Sequence, residues 1–255
     1  MEKLPHVDAS AEIEWLSELD PGGEVCGFDA SGWIDSIWIL NAMYENTSMP
    51  SVTYEEDHQT GLAEGRIEPL VINGVSLDET SVMTGGGVGY AHLPPKEWTR
   101  LRWSVFAERT GVPLGSAMTV PPCFRWFPGA SWPISIIPPT EGSLDEASLR
   151  GLLPILAAQG PLYGVNSRAF FGMAVGSDYE NLTVYSGSLR DMFELVERGH
   201  ENASPSNFWP HDRSWFAYTD WDLSATKISG SRELIAAIEA SDALETLRWE
   251  PPLAG

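Results

Sequence analysis

The sequence predicts an α+β protein, with antiparallel sheets and helices packed on one face. Three stretches carry that expectation. Ser214–Arg232 (SWFAYTDWDLSATKISGSR) reads as strand, turn, strand and the start of a helix. The stretch from Ala169 to Val196 follows the same order. Asn73-Gly74 joins two short apolar runs, and Asn-Gly suits the two-residue type I′ turn of a hairpin.

In the first stretch, Trp215–Tyr218 suits a pleated, half-buried surface. Thr219-Asp220-Trp221-Asp222 is turn-forming, and Ala225–Ile228 is a second strand. Ser231 is placed to cap a helix, because its hydroxyl can accept a first-turn amide. Leu234, Ile235 and Ile238 then share one helical face. Upstream, Ala169–Val175 and Leu182–Tyr185 flank a polar turn at Asp178–Asn181, and a helix carrying Met192, Leu195 and Val196 follows. Thr183–Ser188 and Thr226–Ser231 agree at four of six positions, which suggests a tandem β-β-α repeat in the C-terminal half. Ser-Gly-Ser is also a common way to leave a strand and cap a helix.

Along the rest of the chain, Ser10–Asp20 reads as a short acidic helix ended by Pro21-Gly22-Gly23. In Gly32–Glu45 the residues Ile34, Ile37, Trp38, Asn41 and Tyr44 recur at helical spacing and predict a buried helix. Ile37–Leu40 reads equally as a strand. Tyr54–Glu64 is a helix carrying Glu55-Glu56-Asp57. Pro69–Ile72 and Val75–Leu77 are the arms of the hairpin. Gly85-Gly86-Gly87-Val88-Gly89 lacks the ending of a P-loop and the spacing of a dinucleotide fingerprint, so it is a flexible or bulged connection. Trp98–Trp103 is a strand, and Ser104–Arg109 a helix stopped by Gly111 and Pro113.

Pro121–Pro139 is rich in proline and aromatics and suggests a junction between an acidic N-terminal half (1–120) and a C-terminal α+β half (121–255), or a turn within one globule. Trp132–Ile137 reads as a strand. Ser143-Leu144-Asp145-Glu146 has the form of a capping box with Ser143 at the cap. The helix it opens runs toward Gln159 with Leu149, Leu152, Leu153 and Leu156 inward, and Pro154 is expected to kink or split it. Gly199–Asp212 is a loop packed down by Asn207–Pro210, and Leu244–Trp249 a final edge strand.

The chain has 255 residues and 43% hydrophobic content, enough for a proper core, and most of its 11 tryptophans should be structural. No run reaches the length of a transmembrane helix, and the first residues lack the apolar core of a signal peptide. Cys26 and Cys123 supply neither a disulfide framework nor a zinc thiolate set. The expectation is a cytoplasmic protein. The formal net charge is −21, and residues 1–80 hold 17 acidic against 2 basic residues. Such a field repels nucleic acid and steers a basic partner toward the N-terminal part. A solubility charge is the plainer reading.

Recognisable catalytic patterns are missing. None of the five histidines forms an H-E-x-x-H pair, and there is no G-x-S-x-G elbow. Asp220 and Asp222, two residues apart with Lys227 nearby, can form an acid/base pair or hold a divalent cation if they point the same way. As turn residues they would instead cap backbone amides. Glu55 and His58 pose the same choice between a metal face and a solvated helix face.

Ser204–Trp209, Asp212–Trp215, Thr219–Leu223 and Thr226–Gly230 resemble an uncharacterised family of actinobacterial (Streptomyces-type) proteins carrying a TDxDLxxTKxSG motif. Trp33–Tyr44, Trp98–Trp103 and Pro138–Leu149 are similar to it as well. The resemblance implies no particular activity. Leu223-Ser224-Ala225 stands where related chains are expected to carry an aromatic, which argues against an obligatory aromatic pocket there.

The function expected is that of an acidic, non-enzymatic interaction protein, without cofactor or metal, that binds and neutralises a basic protein as an immunity protein or antitoxin does. Glu55, Glu56, Asp57 and Glu64 are the expected partner-binding carboxylates. The alternatives are a small-molecule-binding or metal-assisted hydrolytic enzyme using Asp220 and Asp222, and a structural or assembly component.

Overall fold

The structure, a computed structural model, describes Trp15 and residues 29–76, 78, 82–85, 89–114, 131–159, 168–173, 183–198, 203–220 and 222–249. The expected helix at Ser10–Asp20, apart from Trp15, lies outside these residues, as do Cys26, Cys123, Gly86–Val88 and the turn at Asp178–Asn181.

Among the described residues a seven-stranded antiparallel sheet forms the centre. Numbered along the chain, its strands lie side by side as β12 (Thr246–Leu247), β1 (Asp35–Leu40), β11 (Ala225–Gly230), β10 (Phe216–Thr219), β9 (Asn207–Pro210), β7 (Arg168–Met173) and β8 (Thr183–Ser188). A smaller sheet joins β5 (Thr99–Leu101), β2 (Met43–Glu45) and β6 (Ile136–Ile137), and β3 (Val71–Ile72) pairs with β4 (Val75–Ser76) as a separate ribbon. The helices are α1 (Tyr54–Ala63), α2 (Trp103–Thr110), α3 (Glu146–Ala157), α4 (Met192–Arg198) and α5 (Arg232–Glu239). The fold is α+β with antiparallel sheets, and no described helix is long and apolar enough to cross a membrane.

Strand alternation sorts the side chains onto two faces. Ile37, Ile39, Phe208, Trp215, Ala217 and Ile228 pack with α3, α4 and α5 in one core. Trp38, Leu40, Trp209, Phe216, Tyr218 and Ala225 pack on the opposite face with Met43, Trp103, Phe106 and Trp132. A sheet covered on both sides reads as a continuous apolar run. That is why, of the two readings of Gly32–Glu45, the strand at Ile37–Leu40 holds and the buried helix does not. The segment forms β1 and then β2, and Ile34, assigned to the helix's inner face, is exposed.

The step from β1 to β2 carries the chain from one sheet to the other through Asn41 and Ala42. Asn41 is fully buried, and its Nδ2 donates to the carbonyls of Thr140 and Ser143, each at 2.8 Å. Its backbone carbonyl accepts the indole N–H of Trp103 at 2.8 Å.

Three other expectations change. Gly199–Asp212 contains β9, an interior strand, with Phe208 and Trp209 buried on opposite faces and Pro210 at its end, where a missing N–H is tolerated. Asp145, not Ser143, caps α3 and accepts the Ser148 amide at 3.0 Å. The Ser143 hydroxyl is used instead by the Ser204 amide. The same helix passes through Pro154 to Ala157, because its leucine face is buried along the whole length while Pro154 lies on the exposed side.

Both β-β-α segments form. Thr183–Ser188 is an edge strand followed by a 3₁₀ turn at Leu189–Asp191. By contrast Ala225–Gly230 is interior and leads directly to α5, whose cap Ser231 accepts the Leu234 amide at 3.2 Å. β9 lies between the two hairpins.

Candidate functional site

Helix α1 begins with a capping box, Thr53-Tyr54-Glu55-Glu56. The Thr53 hydroxyl accepts the Glu56 amide at 3.1 Å, and the Glu56 carboxylate accepts the Thr53 amide at 2.8 Å. Only Gly61 of this helix is buried. Apart from Tyr54, which packs against the second core, its place is set by polar bonds at its edges.

Glu55 makes the first of these. One carboxylate oxygen accepts the Met83 amide at 2.7 Å and the other the Gln59 amide at 2.9 Å. These bonds, the Met83 amide foremost, hold its carboxyl below the usual range. The Glu55 amide donates to Ser131 Oγ, which in turn donates to the Met83 carbonyl. On the other side His58 Nε2 meets Asp78 Oδ1 at 2.7 Å, and Asp78 Oδ2 accepts the amide of Leu70, at the foot of the hairpin. His58 is the main cause of the lowered Asp78 carboxyl. Helix, hairpin and the 82–85 segment thus form one module.

The four carboxylates expected at a partner surface all lie on this module. Glu55 and Glu56 have structural bonds. Asp57 and Glu64 converge on Arg66, at 3.8 and 2.6 Å. Glu56 and Glu64 are exposed, and Asp57 is about half exposed.

The module also has an apolar component that residue spacing does not reveal. Val52, Leu70, Val71, Val82 and Met83 are between 40 and 55% exposed, and they are five of the eight large hydrophobic side chains exposed among the described residues. Val71 reads as part of a hairpin arm. Asn73 and Gly74 take the positive φ angles of a type I′ turn (52° and 81°), but the ribbon they close joins neither sheet.

Asp220 and Asp222 occupy different environments. Asp220 is buried. Its Oδ1 accepts the Asp222 amide at 2.8 Å, and its Oδ2 accepts the Tyr218 hydroxyl at 3.0 Å. Burial pushes its carboxyl above the usual range against those two bonds. Asp222 is exposed, and Lys227 turns away to Asp29. His58 is engaged by Asp78 rather than Glu55. Among the described residues no group of three His, Cys, Asp or Glu side chains can hold a metal ion.

No family model, curated protein or solved structure matches the chain.

Proposed function

We propose that the α1 module is a docking surface through which this chain binds and neutralises a basic protein without catalysis, in the manner of an immunity protein or antitoxin. The observation that supports this most directly is the exposed apolar set at Val52, Leu70, Val71, Val82 and Met83 on the same hydrogen-bonded module as Glu55, Glu56, Asp57 and Glu64. Exposed apolar side chains rimmed by charge mark association sites in soluble proteins.

The module is also preorganised. Glu55 and Glu56 are already fixed by backbone amides, so little side-chain freedom is lost when a Lys or Arg approaches. Each carboxylate oxygen retains a lone pair for such a donor. The acidic excess of residues 1–80 supplies the long-range attraction.

The test is native mass spectrometry of the untagged chain, followed by binding kinetics with the basic protein that co-purifies. The expected complex associates more slowly as salt rises. E55Q/E56Q/D57N/E64Q should slow association about tenfold or more, and L70S/M83S should speed dissociation. Kinetics indifferent to both sets, or a chain carrying only a metal or a small ligand, would overturn the proposal.

A further inference from the structure

The sheet face that carries Trp38, Phe216 and Tyr218 is covered unevenly. Near Leu40 the smaller sheet and α2 lie over it. At the opposite end of β1, Ser36 stands in register with Ser229 of β11, one rung beyond the pair of Trp38 and Lys227 on this face. Two small side chains thus replace two large ones, and a recess of about 550 Å³ opens above them. Trp33 and Trp249 form its walls, and Lys227, Asp35 and Arg248 its polar rim.

The walls are held in place. Trp33 stacks on Phe216 with centroids 5.3 Å apart, and its indole N–H donates to the Arg213 carbonyl at 3.0 Å. Trp249 stands edge-on to Trp38 at 6.1 Å. The volume falls within the range of small-molecule sites.

Both cations of the recess are already ion-paired. Lys227 Nζ contacts both oxygens of Asp29, at 2.8 and 3.1 Å. Arg248 bonds Asp35 at 3.0 Å and both oxygens of Glu239 at 3.1 Å. A phosphate or carboxylate would therefore meet cations already neutralised, and three carboxylates beside them. What remains is hydrogen-bonding capacity on fixed groups. The hydroxyls of Ser36 and Ser229 have no side-chain partner among the described residues, and the Lys227 ammonium has three donors, of which Asp29 takes at most two.

From this combination we propose a second site, for a neutral polyhydroxylated ring compound, a mono- or disaccharide. The C–H face of a pyranose lies against indole, and its hydroxyls both donate and accept. Ion-paired side chains satisfy such a ligand without giving up their partners, which a charged ligand would require. The site lies on the central sheet and shares no residue with the α1 module.

The test uses the full chain with glucose, maltose and cellobiose as probes, read by saturation-transfer NMR and tryptophan fluorescence, with glucose 6-phosphate as the anionic comparison. At least one neutral sugar is expected to bind saturably and more tightly than glucose 6-phosphate. S36A/S229A, which removes the two hydroxyls but leaves the ion pairs, should weaken it about tenfold at unchanged melting temperature. If the double variant unfolds, S36A alone serves, with a smaller loss. E55Q/E56Q/D57N/E64Q should bind the sugar as the unaltered chain does, which separates this site from the protein-docking surface. No transfer to any neutral sugar at millimolar concentration, tighter binding of the phosphate ester, or binding indifferent to the serine substitutions would overturn the proposal.

Discussion

Asp145 accepts the backbone amide of Ala42 at 2.8 Å, across 103 residues of sequence. The same carboxylate caps α3 through the Ser148 amide and accepts the Ser148 hydroxyl at 2.7 Å. One buried side chain thus fastens the step between the two sheets to the helix that covers the central one.

Asp145→Ala removes a helix cap and strands a buried amide. The combined cost is about 2–4 kcal/mol, or roughly 5–15 °C in melting temperature for a chain of this size. Thermal denaturation checks this. Asp145→Asn, which keeps one acceptor oxygen, should fall between the two. A loss below about 1 kcal/mol would mean that water replaces the carboxylate.

Gly85 tests how α1 is seated. Its φ is +76°, and a Cβ there would run into the ring of Tyr54, the first residue of α1. Gly85→Ala adds left-handed strain of about 1 kcal/mol to that collision. Because α1 buries so little, hydrogen exchange should report a local effect, with α1 amides losing protection while those of β10 and β11 keep theirs. Equal loss in all three elements would show that α1 and the central sheet open together. The Gly-rich run is therefore a packed connection at Gly85, where only a residue without Cβ fits.

Asp220 should show its burial in the pH dependence of stability. Its carboxyl is a weaker acid folded than unfolded. Its favourable contribution is then fully present below the unfolded value and is lost as pH rises through the raised folded one. Asp220→Asn keeps an acceptor for the Asp222 amide and can donate to the Tyr218 oxygen, without carrying charge. The melting temperature of the variant relative to the unaltered chain should therefore climb as pH rises above the ordinary carboxylate range of about 4. A flat or falling difference would show a carboxylate satisfied in its ionised form. A divalent ion bound by the unaltered chain and released by the variant would assign Asp220 to a metal site.

The elements legible in the sequence are those made by residues close in the chain. The turn Asn73-Gly74, the cap Ser231 with Leu234, Ile235 and Ile238, and the helix at Tyr54–Ala63 rest on contacts two to four positions apart, which local patterns record. The antiparallel α+β class follows from the same signals. β9 is not legible, and β1 is legible only as an equal alternative to a helix, because a strand buried on both faces has no period to read. The cap at Asp145 was hidden for another reason: Ser143 has the right residue type and spacing, but the Ser204 amide, 61 residues away, takes its hydroxyl.

Local residue patterns set where the chain turns, where its simplest helices begin and which half holds the acidic excess. Long-range packing sets which carboxylate is buried, which hydrophobic residues are left in solvent, and which serines lie at the floor of a recess. Those outcomes depend on what packs against each residue from a distant part of the chain. Burial and charge neutralisation are set by the sum of such neighbours, and local spacing carries no record of that sum.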